Sequence, residues 1–213
     1  LFAYSVFTQV GVKEVRTRRI TTKLDGWEFF SQDKKFLMLQ RTYRETGGVN
    51  DSLCIMAERD GDLSNTTHDL NMTFSYKNMT YINTLTAKVH MQFFRGSEKF
   101  RAEQPRLAGY NFVNSTFLTC TPGYSLTEPY WKVWYAYRSC AVVEALQWTT
   151  VRVPGSSVVP KPQCEYWIAD TYNGTIERGT STQRRMCESY FEIACNTTTV
   201  QEVYIPEVCA YSH

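Results

Sequence analysis

Apolar and polar residues alternate with a period of two over most of the chain, the pattern of strands that bury one face. In "HDLNMTFSY" Met72, Phe74 and Tyr76 share one face, and Asn71 and Thr73 the other. In "YINTLTAKVHMQFF" Leu85, Ala87, Val89, Met91 and Phe93 alternate with Thr84, Thr86, Lys88, His90 and Gln92. "WKVWYAYRSCAVVEA" places Trp131, Val133, Tyr135 and Tyr137 on one side, against Lys132, Trp134, Ala136 and Arg138. Further strands are predicted from about Lys35 to Tyr43 and in "SLCIMAE", "GYNFVNSTFL" and "QCEYWIAD". "ETGGVND", "RDGDLSN" and "RGSEK" carry turn chemistry between them.

Two segments break the alternation. In "LDGWEFF" Asp25 is placed to cap a short helical turn bearing Trp27 and Phe30. In "STQRRMCESYFEIAC" Met186, Tyr190 and Ile193 recur at helical spacing, with Ser181 or Thr182 as the cap. The expectation is about eight antiparallel strands followed by one amphipathic helix, as a sandwich or an up-and-down barrel.

The chain has 213 residues, enough for one substantial core. Residues 1–24 read as an N-terminal arm or signal remnant, and 25–213 as a single domain. No apolar run reaches the length of a membrane helix, so no membrane insertion is expected. The net charge of +2 gives no case for nucleic acid, and "RTRR" at Arg16–Arg19 reads as a solvated arm. Aromatics reach 15% and supply large apolar area.

Cysteine usage sets the compartment. There are seven: Cys54, Cys120, Cys140, Cys164, Cys187, Cys195 and Cys209. None falls at zinc spacing, so no metal or other cofactor is expected. Asn50, Asn65, Asn71, Asn78, Asn114, Asn173 and Asn196 each open a glycosylation sequon. Dense sequons with many cysteines point to an oxidising, extracellular setting. The odd count leaves one thiol over.

Catalysis finds little support. His68, His90 and His213 have no nucleophile partner in a catalytic motif, and no phosphate-binding loop or metalloprotease motif occurs. The chain reads as a binding protein, not an enzyme. The aromatic strand faces fit either a filled core or a cavity, because an eight-stranded barrel is just wide enough to hold one small ligand. Pattern alone leaves both open.

"DGW", then "FLMLQRTY", then "SLC", followed by "YAYRSCAVV", "CEYW" and "EVYIPEVC", resembles the tick salivary lipocalins in order and spacing from Asp25 to Cys209. The resemblance implies an eight-stranded lipocalin barrel with a C-terminal helix packed outside. It implies a secreted salivary protein that sequesters a host mediator such as histamine, serotonin, a leukotriene or a sterol. It also implies the bridges Cys54–Cys209 and Cys140–Cys187. A third, Cys164–Cys195, would fasten the "CEYW" strand to the helix end. Cys120 is then the odd thiol, on a protein expected to be a monomer unless Cys120 links two copies.

Amine-binding members resemble one another in a Cys-Asp-hydrophobic motif followed by Glu-Leu-Trp or Glu-Leu-Tyr. Here the first reads Cys140, Ala141, Val142, without the acid, and the second Glu165, Tyr166, Trp167. The family's other amine-contacting acids fall near Thr46, Thr84 and Trp131, none of them acidic. A buried ammonium needs carboxylate partners. The expectation is therefore a lipophilic mediator, a fatty acid, eicosanoid or sterol, over an amine, modulating host inflammation or immunity. The cavity wall is expected from Leu39, Arg41 and Tyr43, Met72 and Phe74, Val89 and Met91, Trp131, Val133 and Tyr135, and Glu165 and Trp167, with Arg41 meeting a carboxylate. Arg101 and Arg106 are further candidate cations. An alternative of another class is a host-protein binder, for instance of complement components, acting through surface loops.

Overall fold

The computed structural model describes residues 23–44, 52–80, 83–149, 160–170 and 182–209. Eight antiparallel strands run in sequence order around a ring: β1 (Lys35–Arg41), β2 (Leu53–Ser64), β3 (Asp69–Asn78), β4 (Asn83–Phe94), β5 (Phe112–Cys120), β6 (Trp131–Tyr137), β7 (Cys140–Ala145) and β8 (Cys164–Asp170). β1 closes the ring by pairing β8 on one edge and β2 on the other. The all-β barrel with a C-terminal helix is the architecture expected from the alternation and the family resemblance.

The ring is uneven at two seams. β1 pairs β2 only at Lys35–Leu37, while its Gln40 and Arg41 pair a short β9 (Gln201–Glu202). The chain after β9 lies between the parted strands: Val203 N–H donates to Leu39, and Val203 C=O accepts from Cys54. At the other seam β5 meets β6 only through Phe112 and Val113. Beyond that point the 121–130 connection lies alongside, with Phe117 N–H donating to Glu128 and the Ser115 hydroxyl to the carbonyl of Pro129.

One end is plugged by α1 (Gly26–Phe30), whose Asp25 and Glu28 form the capping box. Trp27, Phe29 and Phe30 are buried there. Gly26 is required for space, since a Cβ would stand 2.8 Å from Val133 Cγ2 and 2.9 Å from the carbonyl oxygen of Tyr110. Above the plug the interior is filled by Phe36, Met38, Met72, Phe74, Val89, Met91, Phe93, Val133 and the two rings Trp131 and Trp167.

A second apolar layer lies outside. α3 (Thr182–Ala194) packs on β6, β7 and β8, over Leu37, Leu39, Tyr137, Val142, Tyr166 and Ile168. Three disulfides fasten this layer, Cys54–Cys209, Cys140–Cys187 and Cys164–Cys195, and Cys120 is free and exposed. These are the pairings the resemblance implied. The bridges at Cys187 and Cys195 set the rotation of α3. Its buried face is therefore Cys187 and Phe191, whereas Met186 and Ile193, expected inside, are 38% and 75% exposed. A second correction concerns "RDGDLSN". It does not turn but continues β2, with Gly61 at φ +84 and a slip in the pairing between Arg59 and Leu63. A bulge absorbs the glycine without ending the strand.

Candidate functional site

The end opposite the plug holds a hollow with a cavity volume of about 20 Å³, room for a single water molecule. Met38 and Arg41 of β1, Ile55 of β2, Phe74 of β3, Trp131 of β6, and Glu165 and Trp167 of β8 form its wall, with Tyr43 just past β1. Tyr124, Leu126, Thr127 and Pro129 cross its mouth beside Gln147.

Two opposite charges meet in this wall. Arg41 is fully buried and Glu165 is 2% exposed, and they are register partners across the β1–β8 pair. Each has hydrogen-bond partners of its own, which makes the burial of both tolerable. The carboxylate of Glu165 accepts from the Tyr43 hydroxyl at one oxygen and from Trp167 Nε1 at the other, 2.7 Å away. Arg41 Nε donates to Gln201 Oε1 and Nη2 to Ser52 Oγ, each at 2.8 Å. The guanidinium also stands 5.5 Å from the centre of the Tyr43 ring, whose other contacts include a stack on Trp148.

Of the residues expected in the wall, Arg41, Tyr43, Phe74, Trp131, Glu165 and Trp167 line the hollow. Met72, Val89, Met91 and Val133 belong to the inner core but do not reach it. Leu39 and Tyr135 lie in the outer layer under α3. The reason is local. β1 slips against β8 between Met38 and Gln40, and β6 slips against β7 between Val133 and Tyr135. Each bulge shifts the alternation by one residue. Arg41 then faces inward together with Met38, and Ala136 instead of Tyr135 follows Val133 into the core. Strict alternation missed Met38 and Ile55. The segment 124–129 and the polar partners Ser52 and Gln201 carry no motif to mark them.

A family model described as tick histamine binding protein matches residues 18–211. The chain belongs to that family. No curated protein matches the chain. The tick histamine-binding proteins are salivary lipocalins and binding proteins, which accounts for the barrel and its disulfides. The structure places the positions that the resemblance set against the family's amine contacts. Ala141, where the motif has an acid, is buried in the inner core. Thr84 is exposed on β4, Trp131 lines the hollow, and Thr46 lies outside the described residues. Among the described residues that line the hollow, Glu165 is the sole acid. Arg101 stands on α2 (Glu98–Glu103), away from the hollow, and nothing is described of the Arg106 side chain.

The sequons distribute over the surface. Asn65 and Asn114 are exposed, and Asn71, Asn78 and Asn196 are half-buried. Asn71 Oδ1 is 3.0 Å from His90 Nδ1 across the β3–β4 pair. Asn50 and Asn173 lie outside the described residues. No described helix is long and apolar enough to cross a membrane.

Proposed function

We propose that this protein is a secreted scavenger that takes a small host mediator into the open end of its barrel, and that the mediator is lipophilic with an anionic or neutral polar head. The observation that carries the reading is the buried guanidinium of Arg41 in the wall of an otherwise aromatic and aliphatic hollow. A cation there repels an ammonium and attracts a carboxylate, and the low dielectric strengthens both effects. Glu165, the sole acid among the described residues that line the hollow, already accepts from Tyr43 and Trp167. Burial of an acyl chain supplies affinity at roughly 25 cal/mol per Å² before association costs.

The small size of the hollow separates the lipophilic candidates. A volume of about 20 Å³ admits no ligand until rings at the mouth move. A flexible fatty acid or eicosanoid can enter as they yield one at a time, whereas a rigid sterol needs the whole width at once. An amine remains the second reading, favoured by the Glu165 carboxylate among the rings of Tyr43, Trp131 and Trp167, and by the family's name.

The test is native mass spectrometry of the protein secreted from eukaryotic cells, offered histamine, serotonin, leukotriene, arachidonate and cholesterol together. An arachidonate or leukotriene adduct is expected. A histamine or serotonin adduct in its place overturns the ligand class. No adduct at all overturns sequestration in the barrel and leaves the surface loops as the acting part.

A further inference from the structure

Two tryptophans stand against each other in the wall of the hollow, with ring centres 5.6 Å apart. Their indole nitrogens are treated differently. Trp167 Nε1 donates to Glu165 at 2.7 Å. Trp131 Nε1 is wholly buried and has no acceptor among the described residues. The ring around it is well packed, on Phe30 at 5.3 Å and against Phe74 at 6.1 Å. The orphan donor is therefore not the mark of a loosely placed side chain. An unmet N–H in a dry interior is destabilising, and buried polar groups in native proteins are nearly always met. Trp131 lines the hollow, so a ligand that spreads its wall is the group able to bring this donor an acceptor.

From this we infer that Trp131 is a hydrogen-bond donor to the ligand, and that the ligand carries an acceptor oxygen, a carboxylate or carbonyl, on an apolar body. The inference rests on sequestration in the barrel and narrows the class of head group. An alkylammonium offers only donors and leaves Trp131 unmet. A hydrocarbon without oxygen leaves it unmet as well. A carboxylate meets both Trp131 and the field of Arg41, and an ester carbonyl meets Trp131 alone. The site thus separates a charge requirement from an acceptor requirement.

The experiment uses three probes of one chain length: decanoate, methyl decanoate and decylamine, titrated into the full-length protein and its Trp131→Phe variant. Phenylalanine keeps an apolar ring but removes the donor. For the original protein, decanoate is expected to bind tightest, methyl decanoate next and decylamine least. In Trp131→Phe both oxygen-bearing probes should weaken by roughly tenfold or more, the usual worth of a hydrogen bond of this kind, and decylamine should not weaken. Because a core substitution can disturb folding, a second readout uses the unsubstituted protein labelled with ¹⁵N-tryptophan. The chain has five tryptophans, and the indole resonance missing from Trp131→Phe identifies the relevant one. That resonance should move downfield on adding methyl decanoate. Equal binding of all three probes with a stationary Trp131 resonance overturns this inference while leaving sequestration standing. Failure of every probe to bind overturns both.

Discussion

Glu165 is the residue at which the two readings of the ligand part. Its two oxygens hold the Tyr43 hydroxyl and the Trp167 indole, and its strand neighbour is Arg41. Replacing Glu165 by Gln keeps the shape but removes the negative charge of Arg41's register partner. Stability is expected to fall by about 1–3 kcal/mol, as the buried donors lose a charged acceptor. Binding should move in opposite directions for opposite head groups. Decanoate should bind several-fold tighter once a like charge is gone, a change on the order of 1 kcal/mol, and decylamine should bind more weakly. Titration calorimetry reads both. A large loss of decanoate binding in Glu165→Gln would mean that the carboxylate's hold on Tyr43 and Trp167, not its charge, governs the site. At this scale the sequence was informative about identity: the acid retained after Cys164 and the arginine before Tyr43 stand in the wall together. It was silent about their partners, because Ser52 and Gln201 are ordinary polar residues brought to Arg41 only by the closure of the barrel.

At the level of elements, what alternation conveyed was the strands β3 and β4, whose pairing runs unbroken from Asp69–Gln92 to Asn78–Asn83. What it could not convey was the bulge. Leu39 and Trp134 have nothing in their own side chains to announce an extra residue, yet they turn Leu39 and Tyr135 to the outer layer. The displaced Tyr135 takes a structural part there. It stacks on Tyr190 of α3 at 4.7 Å, and its hydroxyl lies 3.1 Å from that of Tyr137. Burial first, and then the hydrogen bond with Tyr137, push its phenol up to about 12 from an ordinary value of 10.0. Tyr166 and Tyr204 are pushed up too, mainly by burial. A group whose pKa is raised by folding contributes stability that is complete below its unfolded pKa and is lost as the pH climbs to the folded one. Lys132 on β6 has the opposite sign, since burial lowers its pKa from 10.5 against the opposing pull of Glu144. Its contribution therefore grows with pH and levels off near 10.5. Lys34, lowered mainly by burial, behaves in the same way, so between 10.5 and about 12 the raised tyrosines set the trend among the described groups with shifted pKa, and the melting temperature should fall steadily. In Tyr135→Phe that fall should be shallower, as seen by circular dichroism melts across the window. An unchanged slope would mean that the phenol is as free to ionise in the folded protein as in the unfolded chain.

For the whole molecule, the disulfides join the outer layer to the barrel in two distinct ways. Which cysteines pair was not legible from spacing, since seven thiols allow many connectivities; the family resemblance supplied it. Cys140–Cys187 ties α3 to β7 at a sequence separation of 47. Cys54–Cys209 spans 155 residues and anchors α4 (Pro206–Cys209) to β2. The segment just before α4 is the one that lies between β1 and β2 and contributes Gln201 to Arg41. Chain entropy makes the longer bridge worth more, about 5 kcal/mol against about 4 for the shorter. The larger difference is expected in function. Replacing Cys140 and Cys187 by Ala should lower the melting temperature and leave decanoate affinity nearly unchanged, because no group that touches the hollow is released. Replacing Cys54 and Cys209 by Ala should lower the melting temperature further and weaken decanoate as well. With its anchor gone, the C-terminal segment frays from the β1–β2 seam, and Gln201 no longer fixes the guanidinium. Paired melts and titrations of the two double variants, made below the melting temperature of each, separate these effects. Equal loss of affinity in both would mean that the outer layer supports the site as a single body. No loss in either would mean that Arg41 is held by its strand alone.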